Sequence, residues 1–121
     1  MSAWAWLGVA LLGGIGAGGR FFIDSLISAR AGAELPVGTL AVNVSGSLLL
    51  GLLVGLAVGG NALVLAGTAT LGSYTTFSTW MLETQRLAED AKSRMAVLNV
   101  LLSLLLGVGA AALGRSIGMH V

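Results

Sequence analysis

The stretch Gly72-Ser-Tyr-Thr-Thr-Phe-Ser-Thr-Trp80, with Glu83 shortly after it, decides how this chain folds. It lies inside a hydrophobic segment, yet six of the eight residues 72–79 carry a hydroxyl group. Gly, Ser and Thr are weak helix formers, and Ser and Thr hydroxyls compete for backbone hydrogen bonds. We therefore expect the helix to break here, with carbonyls turned out of its ladder, and a second half-helix to begin at about Phe77. Irregular backbone at membrane depth is tolerated only where it is buried in protein or lines a polar cavity, so an ion path is predicted.

The composition of the whole chain is that of an integral membrane protein. Of its 121 residues, 56% are hydrophobic and 9% are charged, and the mean hydropathy is +0.96. Soluble domains are about one quarter charged, and this length allows about four spans of roughly 20 residues. The absence of cysteine excludes disulfide and thiol chemistry, and the net charge of +1 gives no reason to expect nucleic acid. We predict an all-α fold, a single four-helix transmembrane domain over residues 1–121, with spans at approximately 4–27, 39–58, 62–87 and 96–113.

The first predicted span is rich in glycine. Gly14, Gly16 and Gly19 match a dinucleotide-binding G-x-G-x-x-G pattern, but that motif belongs between a strand and a helix of a soluble domain. Gly14 and Gly18 instead favour a small-xxx-small face for close helix packing. Arg20 and Asp24 follow at i,i+4. Either they snorkel to the interface, or the positive charge concentrates anions at a vestibule.

Polar residues recur every four positions in the second and fourth spans, which places them on one side of each helix. In the second span the upper half of the stripe is polar and offers donors, and its lower half consists of small residues and permits close approach. In the fourth span the stripe also passes from polar to small residues. The stripes consist of Thr39, Asn43, Ser47, Gly51 and Gly55, and of Asn99, Ser103 and Gly107. Helix packing, with Asn43 bonding between helices, is one reading of the second-span stripe, and donors along an ion path are the other.

Phe77 and Trp80 lie three residues apart and share a helix face. Aromatic ring edges carry positive potential, so edge-on rings can contact an anion without binding it tightly. Ordinary packing is the alternative explanation for two aromatic residues at this spacing.

Three motifs together resemble the CrcB/Fluc fluoride channels. They are Gly14 with Gly-Gly-Arg20, then Gly38-Thr-Leu-Ala-Val-Asn43-Val-Ser-Gly46, then Gly72-Ser-Tyr-Thr-Thr-Phe-Ser-Thr79 with Glu83. The resemblance implies an antiparallel, dual-topology homodimer with two fluoride pores along the subunit interface. It also implies a central structural sodium ion, held by the main-chain carbonyls of Gly72 and Thr75 from both subunits.

The same resemblance implies which side chains meet the anion. The residues of the fluoride pathway would be Asn43, Phe77, Ser78, Thr79, Trp80, Asn99 and Ser103, with Arg20 near the vestibule. Trp80 stands where the family has the second phenylalanine of a pair. Ser73 replaces the usual second glycine of the break, and Gly107 leaves one position of the polar track without a hydroxyl.

The expected function is passive, fluoride-selective export across the plasma (inner) membrane of a prokaryote, which protects the cell from fluoride that enters as HF. Fluoride is small and strongly hydrated, so selecting it needs replacement donors, and Asn, Ser and Thr supply them. A central cation would offset the cost of removing the anion's water. Lys and Arg are more frequent on the side of the first and third loops, which favours a cytoplasmic location of those loops but permits dual insertion. The dimer partner is an identical chain or a paralogue.

Two other functions fit a chain of this size. A small dual-topology multidrug exporter has similar length, but its mechanism resembles antiport by a membrane-embedded Glu in the first span, where this chain has only Asp24, near the end of the span. A non-transporting helical membrane subunit would explain the glycines but not the clustering of Asn43, Phe77 and the hydroxyls. An enzyme is not expected, because no catalytic constellation of His, Cys or Ser with a base is present.

Overall fold

A computed structural model describes residues 1–32 and 34–121, and this part of the chain is entirely helical apart from turns. The elements are α1 (Ala3–Ala31), α2 (Val37–Gly55), α3 (Gly60–Leu63), a π-helical segment (Val64–Leu71), α4 (Gly72–Tyr74), α5 (Phe77–Glu89) and α6 (Ser93–Met119). The prediction of an all-α fold is confirmed for the described residues.

Three of these helices, α1, α2 and α6, are long and apolar enough to cross a membrane. The chain is accordingly a multi-pass membrane protein. Helices α1 and α6 extend beyond the predicted spans at both ends, because helix ends are set by caps rather than by hydropathy. The Ser2 hydroxyl accepts from the Ala5 amide (3.1 Å) at the start of α1, and Gly32, with φ of +56°, ends that helix.

The third predicted span is interrupted where the sequence predicts it. Helix α4 ends at Tyr74, and Thr75 (φ −78°, ψ 160°) and Thr76 (φ −147°, ψ 119°) are extended. Helix α5 then begins at Phe77, the predicted position. The π-helical turns over Val64–Leu71 were not predicted, since nothing in that apolar run distinguishes them from an α-helix.

Helices α2 and α6 approach most closely through glycines. A methyl group on Gly51 would collide with the Ala111 carbonyl oxygen, and one on Gly114 would collide with the Leu48 carbonyl oxygen. Close backbone approach through small residues is the usual packing mode of membrane helices. The prediction that the lower half of the α2 stripe permits close approach is therefore confirmed.

The packing face of α1 differs from the predicted one. Gly14 and Gly18 have no neighbouring atom within 4 Å of a Cβ position, whereas Gly16 is buried against the Thr70 carbonyl and the Ser73 hydroxyl. The small-xxx-small prediction for Gly14 and Gly18 is therefore wrong within one chain. The physical reason is that α1 packs on the π-helical segment and α4, and the rotation this requires turns Gly16 inward.

Arg20 and Asp24, four residues apart on α1, do not form an ion pair with each other. Asp24 instead accepts a hydrogen bond from the Ser28 hydroxyl (3.0 Å). Among the described residues, an ion pair is formed between Lys92 and Glu34 (3.5 Å), both largely exposed, and none is formed by Arg20. Exposed pairs of this kind contribute about 0–1 kcal/mol, so the fold does not depend on it.

Candidate functional site at the helix break

Asn43 of α2 holds the two extended residues of the break in place. Its Oδ1 accepts from the Thr76 amide (2.8 Å), and its Nδ2 donates to the Thr76 carbonyl (3.0 Å). The side chain thereby replaces both hydrogen bonds that Thr76 would make in a continuous helix. Asn43 is the residue of α2 for which the sequence offered two readings, and the structure shows it bonding between helices.

The break leaves main-chain carbonyls without helical partners. In a continuous helix the Thr76 amide would donate to the Gly72 carbonyl. Here it donates to Asn43 Oδ1 instead, so the Gly72 carbonyl has no helical partner. The Thr75 carbonyl accepts no hydrogen bond from any described residue. Unpaired carbonyl oxygens are the ligands that hard cations prefer, so Gly72 and Thr75 have the chemistry expected of them.

The hydroxyls on the N-terminal side of the break bond back to their own turns. Thr70 Oγ1 donates to the Leu65 carbonyl (2.7 Å), Ser73 Oγ to the Ala69 carbonyl (2.7 Å) and Thr75 Oγ1 to the Leu71 carbonyl (3.1 Å). These three groups are therefore engaged in the helix and are poor candidates for donors to an anion. Fewer hydroxyls are free to donate to an anion than the number in this stretch of the sequence suggested.

The hydroxyls that follow the break are used differently. Thr76 Oγ1 accepts from the Thr79 amide (3.1 Å) and thereby caps α5. Ser78 is exposed, and its hydroxyl lies 3.4 Å from that of Thr76. The first turn of α5 thus presents an exposed hydroxyl, with only a long contact to Thr76, beside the positive end of the helix dipole, an arrangement that favours anions.

A groove of about 560 Å³ runs beside the break, between α2, the broken helix and α6. Six of the residues singled out from the sequence line it, namely Asn43, Gly72, Thr75, Phe77, Trp80 and Ser103. Ser78, Thr79, Asn99 and Arg20 do not border this groove in the single chain. The structure therefore brings together residues from three separate parts of the sequence and leaves four of the predicted residues outside.

Phe77 and Trp80 form an edge-to-face pair in the wall of the groove. Their ring centroids are 5.7 Å apart and the ring planes meet at 85°. Phe77 is 70% exposed, so it is not a packed core residue of the single chain. This exposure weakens the packing explanation for Phe77.

Two features of this region were not predicted from the sequence. Thr84 joins Trp80 to Asn99 through hydrogen bonds, and its i+4 spacing from Trp80 was the only available signal. Thr39 Oγ1 and Glu83 Oε1 are buried with no hydrogen-bond partner among the described residues, and Thr39 neighbours Glu83. Both features depend on how α2, α5 and α6 come together, which no local pattern encodes.

Comparison with known proteins gives a consistent result. Residues 7–115 match the family described as CrcB-like protein, Camphor Resistance (CrcB). The chain is 52% identical over 116 residues to the fluoride-specific ion channel FluC 2 of Mycolicibacterium paratuberculosis, covering 96% of this chain and 95% of that one. It is 43% identical over 122 residues to FluC 1 of Symbiobacterium thermophilum, covering 96% and 97%. It is 41% identical over 116 residues to FluC 1 of Leifsonia xyli subsp. xyli, covering 93% and 85%. Each of these relatives is named as an ion channel and not as an enzyme. Because the family match and the similarity to these relatives extend over nearly the whole chain, the chain belongs to the CrcB family.

Proposed function

We propose that this protein is a passive, fluoride-selective ion channel. The observation that carries the proposal is the helix break beside a groove that gathers Asn43, Ser103 and the Phe77–Trp80 pair. Its wall contains amide and hydroxyl groups and aromatic rings, but no Lys or Arg. Uncharged donors can replace the water of a small anion without trapping it. The names of the relatives point to the same ion.

The channel is a dimer of antiparallel subunits, with the segment Gly60–Glu89 crossing the membrane as a fourth span. Two observations support this arrangement. The groove lies at the surface of a single chain, where Phe77 is 70% exposed, and one chain has little interior of its own. A second subunit covering the groove would convert it into an enclosed path. The partner is an identical copy, and the existence of relatives named FluC 1 and FluC 2 makes a paralogue the alternative.

A sodium ion is bound at the break by the carbonyls of Gly72 and Thr75 from both subunits. The fit is supported by the loss of the helical donor to Gly72 and by the unpaired carbonyl of Thr75. When bound, the ion supplies a fixed positive charge that stabilises an anion close by. Asn43 contributes by keeping the Thr76 amide away from the Gly72 carbonyl.

Within the pathway, Asn43 and Ser103 offer donors and the two aromatic residues offer ring edges. One N–H of the Asn43 amide remains after its bond to Thr76, since a primary amide has two. Ser78 and Thr79 extend the path beyond Phe77, Asn99 stands at its α6 side, and Arg20 raises the anion concentration at a vestibule. The channel acts in the plasma membrane of a prokaryote and protects the cell by releasing fluoride.

The test is efflux from liposomes that contain the purified protein. A fluoride electrode measures release, and a chloride electrode measures chloride under the same gradient, with and without sodium in the buffer. We expect rapid passive fluoride release and chloride release slower by orders of magnitude. Equal rates for the two anions, or no release above that of empty liposomes, would contradict the proposal.

A further inference from the structure

Trp80, Thr84 and Asn99 are joined by a closed set of three hydrogen bonds between α5 and α6. Trp80 Nε1 donates to the main-chain carbonyl of Asn99 (3.3 Å), the side-chain Nδ2 of Asn99 donates to Thr84 Oγ1 (2.9 Å), and Thr84 Oγ1 donates to the main-chain carbonyl of Trp80 (2.8 Å). A hydroxyl has a single hydrogen, and here Trp80 receives it. Thr84 can therefore only accept from Asn99, so the three donors run in one direction around the cycle.

The Asn99 side of the cycle is buried, whereas Trp80 and Thr84 are half-buried. Asn99 is 1% exposed and is among the largest fully buried side chains of the described residues. A buried amide is costly to leave unpaired, and bonded groups in a dry environment hold one another in a single arrangement. Because Thr84 ties α5 to the Asn99 side chain, it holds the main-chain carbonyl of Asn99 in place as the acceptor for the indole of Trp80.

The consequence concerns the edge that Trp80 shows to the groove. An indole has one N–H, the strongest donor on its ring, and in this structure it faces α6. Trp80 also lines the groove and meets Phe77 edge to face. The part of the indole left to line the groove therefore carries only carbon-bound hydrogens, like the ring of phenylalanine.

We propose that Thr84 and Asn99 are positioning residues that hold the indole N–H of Trp80 out of the groove, so that Trp80 contacts an anion only through its carbon-bound hydrogens. The inference deepens the proposed function and rests on it. If the bond between Thr84 and Asn99 is lost, α6 can move away from α5 at Asn99, which weakens the indole's bond to the main-chain carbonyl and lets the indole rotate its N–H into the path. A strong, unpartnered donor there retains anions and slows their passage.

The decisive variant is Thr84→Val, which removes the hydroxyl and keeps the side-chain volume. We expect fluoride flux to fall about fivefold, the factor that corresponds to one ordinary hydrogen bond, and the fluoride-to-chloride ratio to change with it. Thr84→Ser retains the hydroxyl and restores the original flux and ratio. Thr70→Val is the matched control, since its hydroxyl also bonds to a carbonyl (Leu65, 2.7 Å) but lies on the other side of the break.

The proposal requires that Thr84→Val lowers flux through the indole of Trp80. A chain that already carries Trp80→Phe tests this requirement. In a Trp80→Phe chain there is no N–H to hold, so Thr84→Val should then leave flux and ratio unchanged. An equal loss in both backgrounds would mean that Thr84 acts on the helix packing alone, and no loss in either would mean that it has no positioning role. Both results overturn the proposal.

A measurement without transport separates this inference from the proposed function. With Trp4 and Trp6 replaced by Phe, Trp80 is the only tryptophan. Thr84→Val should then increase the quenching of its fluorescence by acrylamide, whereas Thr70→Val should not. Unchanged quenching overturns the proposal. If quenching increases but the unsubstituted protein releases no fluoride, the proposed channel function is wrong, while the positioning role of Thr84 is supported.

Discussion

Asn43 and Thr76 are joined by two hydrogen bonds that span 33 positions of sequence, one from the Thr76 amide (2.8 Å) and one to its carbonyl (3.0 Å). A side-chain amide is the neutral group that can give and accept in this geometry at the same time. It allows the chain to leave the helix inside the hydrophobic segment without unpaired groups on Thr76, while the Gly72 carbonyl is freed. The break is therefore stabilised from a neighbouring helix and not by its own residues alone.

Replacement of Asn43 by Ala should destabilise the protein. Both polar groups of Thr76 lose their partner in a dry environment, which costs roughly 1 to 3 kcal/mol of unfolding free energy. Ser45→Ala is the control, because the one interhelical hydrogen bond that it removes, between the Ser45 and Tyr74 hydroxyls (3.0 Å), is worth about 0.6 kcal/mol. Thermal unfolding in detergent measures both. Equal shifts in Tm for the two variants would show that Asn43 does not hold the break.

Close packing of α2 on α6 makes Gly114 intolerant of a side chain. A methyl group there would meet the Leu48 carbonyl oxygen, and backbone cannot move aside cheaply, so Gly114→Ala should cost roughly 1 to 3 kcal/mol. Gly109→Ala on the same helix meets no atom within 4 Å and should be neutral or stabilise by up to about 1 kcal/mol. Unfolding in detergent compares the pair, and a tolerant Gly114 would contradict the packing described above.

Replacement of Phe77 by Ile should lower fluoride flux by about tenfold or more while leaving the dimer intact. The side chain is 70% exposed in the single chain, so little packing within the subunit is lost, but the ring edge proposed to contact the anion disappears. Phe21→Ile, at a residue 77% exposed on α1, is the matched control and should keep the original flux. Liposome efflux and size-exclusion chromatography measure the two properties. A variant that dissociates would assign Phe77 to packing instead.

Removal of sodium should lower both stability and flux. In the proposed sodium site, the carbonyls of Gly72 and Thr75 would lose their cation and be left unpaired at the subunit interface, at a cost of roughly 1 to 3 kcal/mol for each group. Exhaustive dialysis against N-methyl-D-glucamine, an organic cation too large to be enclosed by carbonyls, should therefore lower Tm, and sodium added back should restore it. Potassium at equal concentration is the ionic-strength control. Identical Tm values in all three buffers would refute a structural sodium ion.

The sequence alone determined the class of the protein, the position of the break and the close approach of α2. Composition excludes a water-facing surface, and weak helix formers at Gly72–Thr76 end the helix before Phe77. These properties are local, because propensity and periodicity act within one segment.

Other features were decided by the tertiary structure. The rotation of α1 selected Gly16 and not Gly14 or Gly18, and the π-helical turns arose within an unremarkable apolar run. The bonds from Asn43 to Thr76 and from Trp80 to Asn99 join groups on different helices. Such contacts depend on how far each helix turns and how closely it approaches its neighbour, and a membrane helix of apolar and small residues offers many faces of nearly equal energy until its neighbours are in place.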